Sequence, residues 1–220
     1  MPAPSQPLLD RIEGIAAPYG LMTMGGAHIE AEQAIVLLGT AATFWDKFIE
    51  TREFSDAKVD PVDRWSKRVM PEIMQAAGAQ DVIFPFGGPP YAPFLSWAKQ
   101  TGEAFDSPVG MLVHYRSGLM ISYRGALVFD RCLPLPDMCL SNPCDDCTDR
   151  PCLTACPVDA LSELHPYDVP ACKSYLATDK GDSCVTLGCA VRRACPVSQS
   201  FGRATAQSAH HMRAFKGELG

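Results

Sequence analysis

The hydrophobic positions in the first 130 residues follow two periods, one typical of helices and one typical of strands. Apolar residues recur every three or four positions in four stretches, and short continuous apolar runs occur in two others. We therefore predict helices over 8–15, 44–49, from 61 onwards and over 94–100, a buried strand over 34–38 and another strand over 81–86. The helix that starts at Pro61 has Asp60 as its capping residue, and Pro71 should kink or divide it.

A strand–turn–strand pattern follows residue 108. Residues 109–115 and 119–129 are rich in β-branched and aromatic residues, and Arg116, Ser117 and Gly118 separate them. We predict that the two strands pair antiparallel as a hairpin. The first part of the chain is therefore expected to be of the α+β class, with an antiparallel sheet and flanking helices.

The character of the sequence changes near residue 135. Residues 133–137 read Leu-Pro-Leu-Pro-Asp, and beyond them prolines, aspartates and cysteines replace the strand pattern. We predict a domain boundary here, with an α+β domain over 1–135 and a small, mostly helical domain over 136–220. The second domain should close with a helix over 205–215.

The overall charge restricts the classes of partner. The chain has a formal net charge of −6 and a pI near 5.3, which argues against nucleic acid and against an anionic membrane surface as partners. The longest apolar runs have the length of strands, and the first ten residues lack the pattern of a signal peptide. We therefore expect a cytoplasmic protein.

The cysteines are the most informative residues. Eight of the ten lie between Cys144 and Cys195, and in a reducing cytoplasm such density indicates metal or redox chemistry. One group has the spacing Cys-x2-Cys-x4-Cys-x3-Cys-Pro, the other has Cys-x4-Cys-x5-Cys-Pro, and Cys172 lies between them. Each iron of a [4Fe–4S] cube takes one thiolate, and in two-cluster ferredoxins the cysteine before proline binds the other cluster. Two Cys-Pro pairs therefore predict two crossed clusters.

This region resembles the dicluster ferredoxin domain of epoxyqueuosine reductases and reductive dehalogenases. The run Cys172-Lys173-Ser174-Tyr175 takes the place of a lone cysteine that lies between the two groups in the reductases. By this resemblance, one cluster is held by Cys144, Cys147, Cys152 and Cys195. The other is held by Cys156, Cys172, Cys184 and Cys189. The intervals differ from the family pattern: four residues instead of two follow the second cysteine, and the last group has four and five instead of two and three.

Other uses of the same thiols stay open. Two structural zinc sites would also take four thiolates each, although zinc ribbons favour paired Cys-x2-Cys knuckles and only one is present. A single cluster with leftover cysteines and a disulfide framework are further alternatives. Cys132 and Cys139 fall outside the pattern and are interpreted as ordinary buried or linker thiols. Arg192 and Arg193 could partly offset cluster charge, or they could lie on a solvated helical face.

The N-terminal part carries a second resemblance. Residues 107–115 and 122–127 resemble a segment of the epoxyqueuosine reductases and of the human-type cobalamin-processing proteins of methylmalonic aciduria type C. Weaker matches to the latter follow the same order. This resemblance implies a nitroreductase-related fold, in which an antiparallel sheet flanked by helices binds a large cofactor, and it implies corrinoid chemistry. Arg124 matches an arginine that contacts the thiol co-substrate, and His114 is a weaker candidate for lining the pocket. The alternative for Arg124 is a salt bridge near the sheet edge.

Two functions follow from these expectations. The first is a small oxidoreductase of the corrinoid-reductase type. Its clusters would take electrons from a redox partner protein and pass them to cobalamin, another corrinoid or a similar cofactor in the N-terminal domain. The second is a ferredoxin-like electron carrier whose N-terminal domain only docks a partner. A zinc-stabilised interaction protein is a third. The residues identify no catalytic acid.

Overall fold

The computed structural model describes residues 6–218, with side chains described over 8–218. The chain forms two compact units. The first contains the residues up to Ala104 together with Ser122–Leu140, and the second contains Phe105–Ile121 together with the residues from Ser141 onward. The chain passes between the two units three times, and the predicted boundary near residue 135 is close to the last passage, after Leu140. The two earlier passages, on either side of Phe105–Ile121, were not predicted from the sequence.

The first unit is built on a small antiparallel sheet. The strands in the described residues are β1 (Leu21–Glu30), β2 (Gln33–Thr40), β3 (Asp81–Ile83), β4 (Ala104–Asp106), β5 (Leu112–His114) and β6 (Tyr123–Phe129). Four of them form a sheet in the order β1-β2-β6-β3, with every neighbouring pair antiparallel. Strands β4 and β5 form a separate pair. The mixed architecture of an antiparallel sheet with flanking helices agrees with the predicted α+β class.

Strand β2 was predicted from the sequence and is buried along almost its whole length. Strand β1 was not predicted. Residues 34–40 are all buried, so the continuous apolar run of β2 reflects cover on both faces. In β1 the apolar residues are interrupted by Thr23 and by the pair Gly25-Gly26, and the register shifts between Thr23 and Gly26. Such a bulge breaks the alternation on which strand prediction depends.

Helices cover the sheet of the first unit. They are α1 (Gln6–Ala16), α2 (Phe44–Phe48), α3 (Arg52–Ser55), α4 (Pro61–Ala77) and α5 (Phe94–Gln100). Pro71 does not divide this helix, because α4 continues through it. The prediction of a division at Pro71 is therefore wrong. Pro71 lies on the exposed side of the helix, where water can satisfy the carbonyl that loses its hydrogen bond.

Aromatic rings pack where α2 meets α4. The rings of Phe44 and Phe48 stack with centroids 5.2 Å apart, and Trp65 approaches Phe44 edge-on at 5.1 Å. Residues Trp65, Val69 and Ile73 form one buried stripe of α4. Offset and edge-on ring pairs add to the burial energy of this stripe.

The predicted hairpin is wrong. Only one isolated bridge, between His114 and Gly118, joins its two segments. Strand β5 pairs with β4, whereas β6 inserts between β2 and β3 in the sheet of the first unit. Both segments have strand propensity, but propensity does not specify the partner.

The regular structure of the second unit consists mainly of short helices. Its helices are α6 (Val169–Leu176), α7 (Asp182–Leu187), α8 (Ala190–Ala194), α9 (Pro196–Phe201) and α10 (Thr205–Lys216). One apolar cluster gathers Val109, Val113, Leu119, Leu161 and Val191. A smaller one is built on Leu176 and Val185, with Met212 and Phe215 packed against it. The segment before β6 thus supplies part of the core around the cysteine loops.

The helices are short by the standard of membrane spans. The longest, α4, has 17 residues and includes charged side chains. Over residues 6–218, no helix combines the length and the apolar character that a bilayer crossing requires.

A buried carboxylate fastens α3 to α4. Glu53 is 3% exposed and accepts hydrogen bonds from Arg68 Nε at 2.7 Å and Arg68 Nη2 at 2.9 Å. Hydrogen bonding from Arg68 outweighs desolvation and, with help from Arg52, lowers the pKa of Glu53 from 4.5 to about 2. The pair therefore stabilises the fold fully above pH 4.5, and this stabilisation is lost as the pH falls towards 2.

We expect Glu53→Gln to lower the free energy of unfolding of the first unit by about 2–3 kcal/mol at pH 7. The variant should also lose the rise in stability between pH 2 and 4.5. All three tryptophans lie in the first unit, so fluorescence during urea unfolding reports on that unit. The exposed Glu50→Gln is the matched control and should behave as the unaltered protein; equal pH profiles for Glu53→Gln and the unaltered protein would contradict the assignment.

Candidate metal centres

Four cysteines of the second unit face one cavity of about 450 Å³. We name it the first thiol site, and its four cysteines are Cys144, Cys147, Cys152 and Cys195. These are the four residues that the sequence assigned to one cluster. The cavity lies within the range typical of small-ligand and cofactor sites, and its other walls include Val113 and Leu119.

Local hydrogen bonds bring these thiols to one side. The Asn142 side-chain oxygen accepts from the Cys144 amide at 3.0 Å, and the Cys147 amide donates to the Cys144 carbonyl at 3.3 Å. The resulting turn places both thiols on the same face. Cys152 lies in a short 3-10 helix, Pro151–Leu153. Cys195 is the extended residue between α8 and α9, where the following proline begins the next helix.

The first thiol site disfavours thiolate anions unless a cation is present. Desolvation, followed by the neighbouring sulphurs of Cys152, Cys195 and Cys147, raises the pKa of Cys144 to about 11. Desolvation and the nearby Cys195 also raise the pKa of Cys152. The four sulphurs are therefore close to one another, and their thiolate forms would repel. A cationic metal centre would instead attract the thiolates.

The other four cysteines form a second group, which we name the second thiol site. It consists of Cys156, Cys172, Cys184 and Cys189. Desolvation raises the pKa of Cys172, and the sulphurs of Cys189, Cys156 and Cys184 raise it further. The cavity among these cysteines is smaller than that of the first thiol site, with a volume of about 20 Å³. A cubane there would require the thiol side chains to rotate outward.

The second thiol site has a hydrogen-bond donor at one of its sulphurs. The Ala160 amide donates to Cys156 Sγ at 3.2 Å. Desolvation is the largest cause of the raised pKa of Cys172, and interaction with the Tyr167 hydroxyl opposes it. Neither contact was predicted from the sequence, because a backbone amide carries no sequence signal and Tyr167 has no motif around it.

Both thiol sites pack against one apolar cluster of the second unit. Cys152 and Cys195 belong to this cluster, and Cys156 and Cys189 pack against it. Val191, a member of the cluster, also lines the second thiol site. The two sites are therefore neighbours inside a single compact unit.

The thiols of each site are spread around a cavity. Within residues 6–218, no three Cys, His, Asp or Glu side chains converge as ligands of one metal ion. Ligands of a cube need no common point, since each binds a different iron. All ten cysteines are free thiols.

The remaining two cysteines stand apart from both sites. Cys132 and Cys139 are exposed, and the Cys132 thiol lies 3.2 Å from the Ala31 carbonyl oxygen, to which it donates. They belong to the first unit, whereas both thiol sites belong to the second. Their exposure agrees with the interpretation as linker thiols. The alternative that they are buried thiols is wrong.

The two residues singled out for cofactor binding belong to different units. Arg124, at the start of β6, donates from Nη1 to the Asp63 carboxylate at 2.9 Å, and its guanidinium lies 5.4 Å from the Phe86 ring centroid. Burial lowers the pKa of Arg124 despite Asp63. His114, on β5 in the second unit, is fully buried, and its Nδ1 accepts from the Arg116 amide at 3.1 Å. Arg124 therefore makes the salt bridge that the sequence analysis gave as the alternative to cofactor binding.

No protein-family model matches this chain, and a search of curated proteins found no match. Sequence comparison therefore assigns the chain to no family. What can be said of its chemistry depends on the two thiol sites.

Proposed function

We propose that this protein transfers electrons through two [4Fe–4S] clusters, one at each thiol site. The observation that carries the proposal is the convergence of eight cysteines into two sets of four, each facing its own cavity within one compact unit. Four thiolates are the usual ligand set of such a cluster. Iron–sulphur clusters supply reversible one-electron transfer over a potential range of roughly −700 to +450 mV.

The residues around the thiol sites suit this role. The ligands come from loops and short helices of the second unit, and the apolar cluster between the sites restricts water. Because Cys152, Cys184 and Cys195 are buried, their thiolate charge would be compensated mainly by bound iron. An electron from a low-potential one-electron donor protein would enter and leave without the formation of any bond to the chain.

Iron content tests the proposal directly. Anaerobically reconstituted protein should be brown, with about eight iron and eight sulphide per chain. A colourless protein that binds about two zinc ions and no acid-labile sulphide would overturn the proposal. About four iron per chain would mean that only one site is loaded, and ligand variants would then identify which site.

We further propose, from the sequence resemblance, that a corrinoid is the acceptor. Dithionite-reduced protein should convert added cob(II)alamin to cob(I)alamin, one electron leaving a cluster for each cobalt reduced, and absorption spectra should follow the change. Binding of cob(II)alamin to protein without clusters separates recognition from reduction. Absence of both binding and reduction, with clusters that still reduce a protein acceptor, would favour the carrier function.

A further inference from the structure

One segment of the second unit faces the first thiol site without supplying a cysteine. This segment is Phe105–Ile121, which we name the wall segment. Four of its residues line the cavity of the first thiol site: Ser107, Pro108, Val113 and Leu119. Val113 and Leu119 are 1% and 2% exposed, and they share an apolar cluster with Cys152 and Cys195. The wall segment therefore packs beside two of the four cysteines.

The first end of the wall segment is fastened beside Cys144. Asn142 Nδ2 donates to the Asp106 carbonyl at 3.0 Å, while Asn142 Oδ1 accepts from the Cys144 amide at 3.0 Å. An asparagine that stabilises its own turn uses only the side-chain oxygen. The bond from Nδ2 therefore has a second effect, which is to attach the turn with Cys144 and Cys147 to the wall segment.

The second end of the wall segment is fastened on both sides of Cys195. The Leu119 amide donates to Ser198 Oγ at 2.8 Å, and Arg192 Nη1 donates to the Leu119 carbonyl at 2.8 Å. Ser198 is 3% exposed, so the loss of its hydroxyl would leave a buried amide without its acceptor. Arg192 lies in α8 and Ser198 in α9. The backbone of Leu119 is therefore bonded to both helices that meet at Cys195.

We propose that the wall segment is a brace that keeps the cysteines of the first thiol site in position around a cluster, with Asn142, Arg192 and Ser198 as positioning residues. This inference rests on the proposed function. The turn with Cys144 and the junction at Cys195 come from distant parts of the chain, and each is bonded to one end of the same segment. When the brace loosens, the ligands can separate, and iron then leaves the cluster more readily.

The release of iron to a ferrous chelator, measured anaerobically on the reconstituted protein, tests the brace. Cys147→Ala lacks a cysteine of the first thiol site and gives the release rate of the second site by itself. We expect Ser198→Ala to speed release from the first site about tenfold and to leave the second-site rate unchanged. General destabilisation would speed both, since both sites pack against one apolar cluster. The matched control is Ser200→Ala on the same helix, whose hydroxyl donates to the Pro196 carbonyl at 3.1 Å; it should change neither rate.

Variants of Asn142 separate the brace from the local turn. Asn142→Ser keeps a side-chain oxygen that can accept from the Cys144 amide, but it lacks the Nδ2 donor to the Asp106 carbonyl. Because the brace requires that donor, Asn142→Ser should release first-site iron about as fast as Asn142→Ala, and about tenfold faster than the unaltered protein. In dithionite-reduced protein, the paramagnetic resonance signal that Cys147→Ala lacks should broaden in both variants, because the ligand positions become less uniform, while the other signal keeps its shape.

The outcomes separate the two proposals. If Ser198→Ala and Asn142→Ser release iron at the rates of the unaltered protein, or speed both sites equally, the brace is overturned while the proposed function stands. The same conclusion holds if only Asn142→Ala is fast, because the turn alone then positions Cys144. Unaltered protein without iron at the first thiol site overturns the proposed function there as well.

Discussion

Cys152→Ala should lower the iron content of the reconstituted protein from about eight atoms per chain to about four. The Cys152 side chain is buried at the first thiol site, between the turn that carries Cys144 and Cys147 and the junction that carries Cys195. Alanine leaves one iron of the proposed cluster without its thiolate. Iron and sulphide assays, read together with the absorption spectrum, measure the loss.

The chain provides two comparisons for this variant. Cys139→Ala removes an exposed cysteine outside both sites and should keep about eight iron. Cys184→Ala removes the buried ligand of the second thiol site and should cost as much iron as Cys152→Ala. If the narrower second thiol site stays unloaded, unaltered protein would hold about four iron and Cys152→Ala almost none. An equal loss in Cys139→Ala would contradict the ligand assignment.

Gly118→Ala should lower the free energy of unfolding of the second unit by about 3 kcal/mol or more. Gly118 has a φ of +57°, and a Cβ at this position would lie 2.5 Å from the backbone nitrogen of Ser198. The neighbouring Leu119 amide donates to Ser198 Oγ at 2.8 Å. A side chain would therefore push this segment away from α9, which begins directly after Cys195.

The matched control for this change is Gly110→Ala. Gly110 lies in the same segment with a φ of +71°, but nothing lies within 4 Å of its added Cβ, so the variant should lose only about 1 kcal/mol. Circular dichroism during denaturant unfolding of the reconstituted protein measures both changes. Since the displaced α9 follows a ligand of the first thiol site, Gly118→Ala should also retain less iron. Equal effects of the two variants would show that backbone strain, and not the contact with Ser198, determines the result.

The sequence determined the elements and the ligand chemistry to a large extent. Apolar periodicity marked α4, the short apolar run marked β2, and Pro61 marked a helix start, although the Asp60 side chain makes no capping hydrogen bond. These signals are local, since they depend on which side chains a single element must bury. The cysteine spacing, read with the family resemblance, grouped the eight thiols into the same two sets that face the two cavities.

What the sequence could not determine depended on contacts between distant residues. Strand β6 has the propensity for a hairpin, but its partners in the sheet are β2 and β3. The segment Phe105–Ile121 joins the second unit because its apolar residues complete the core around the cysteine loops. Side-chain type fixes which groups can bind iron, whereas the charges and donors that surround each thiol come from chain segments that only tertiary packing brings together.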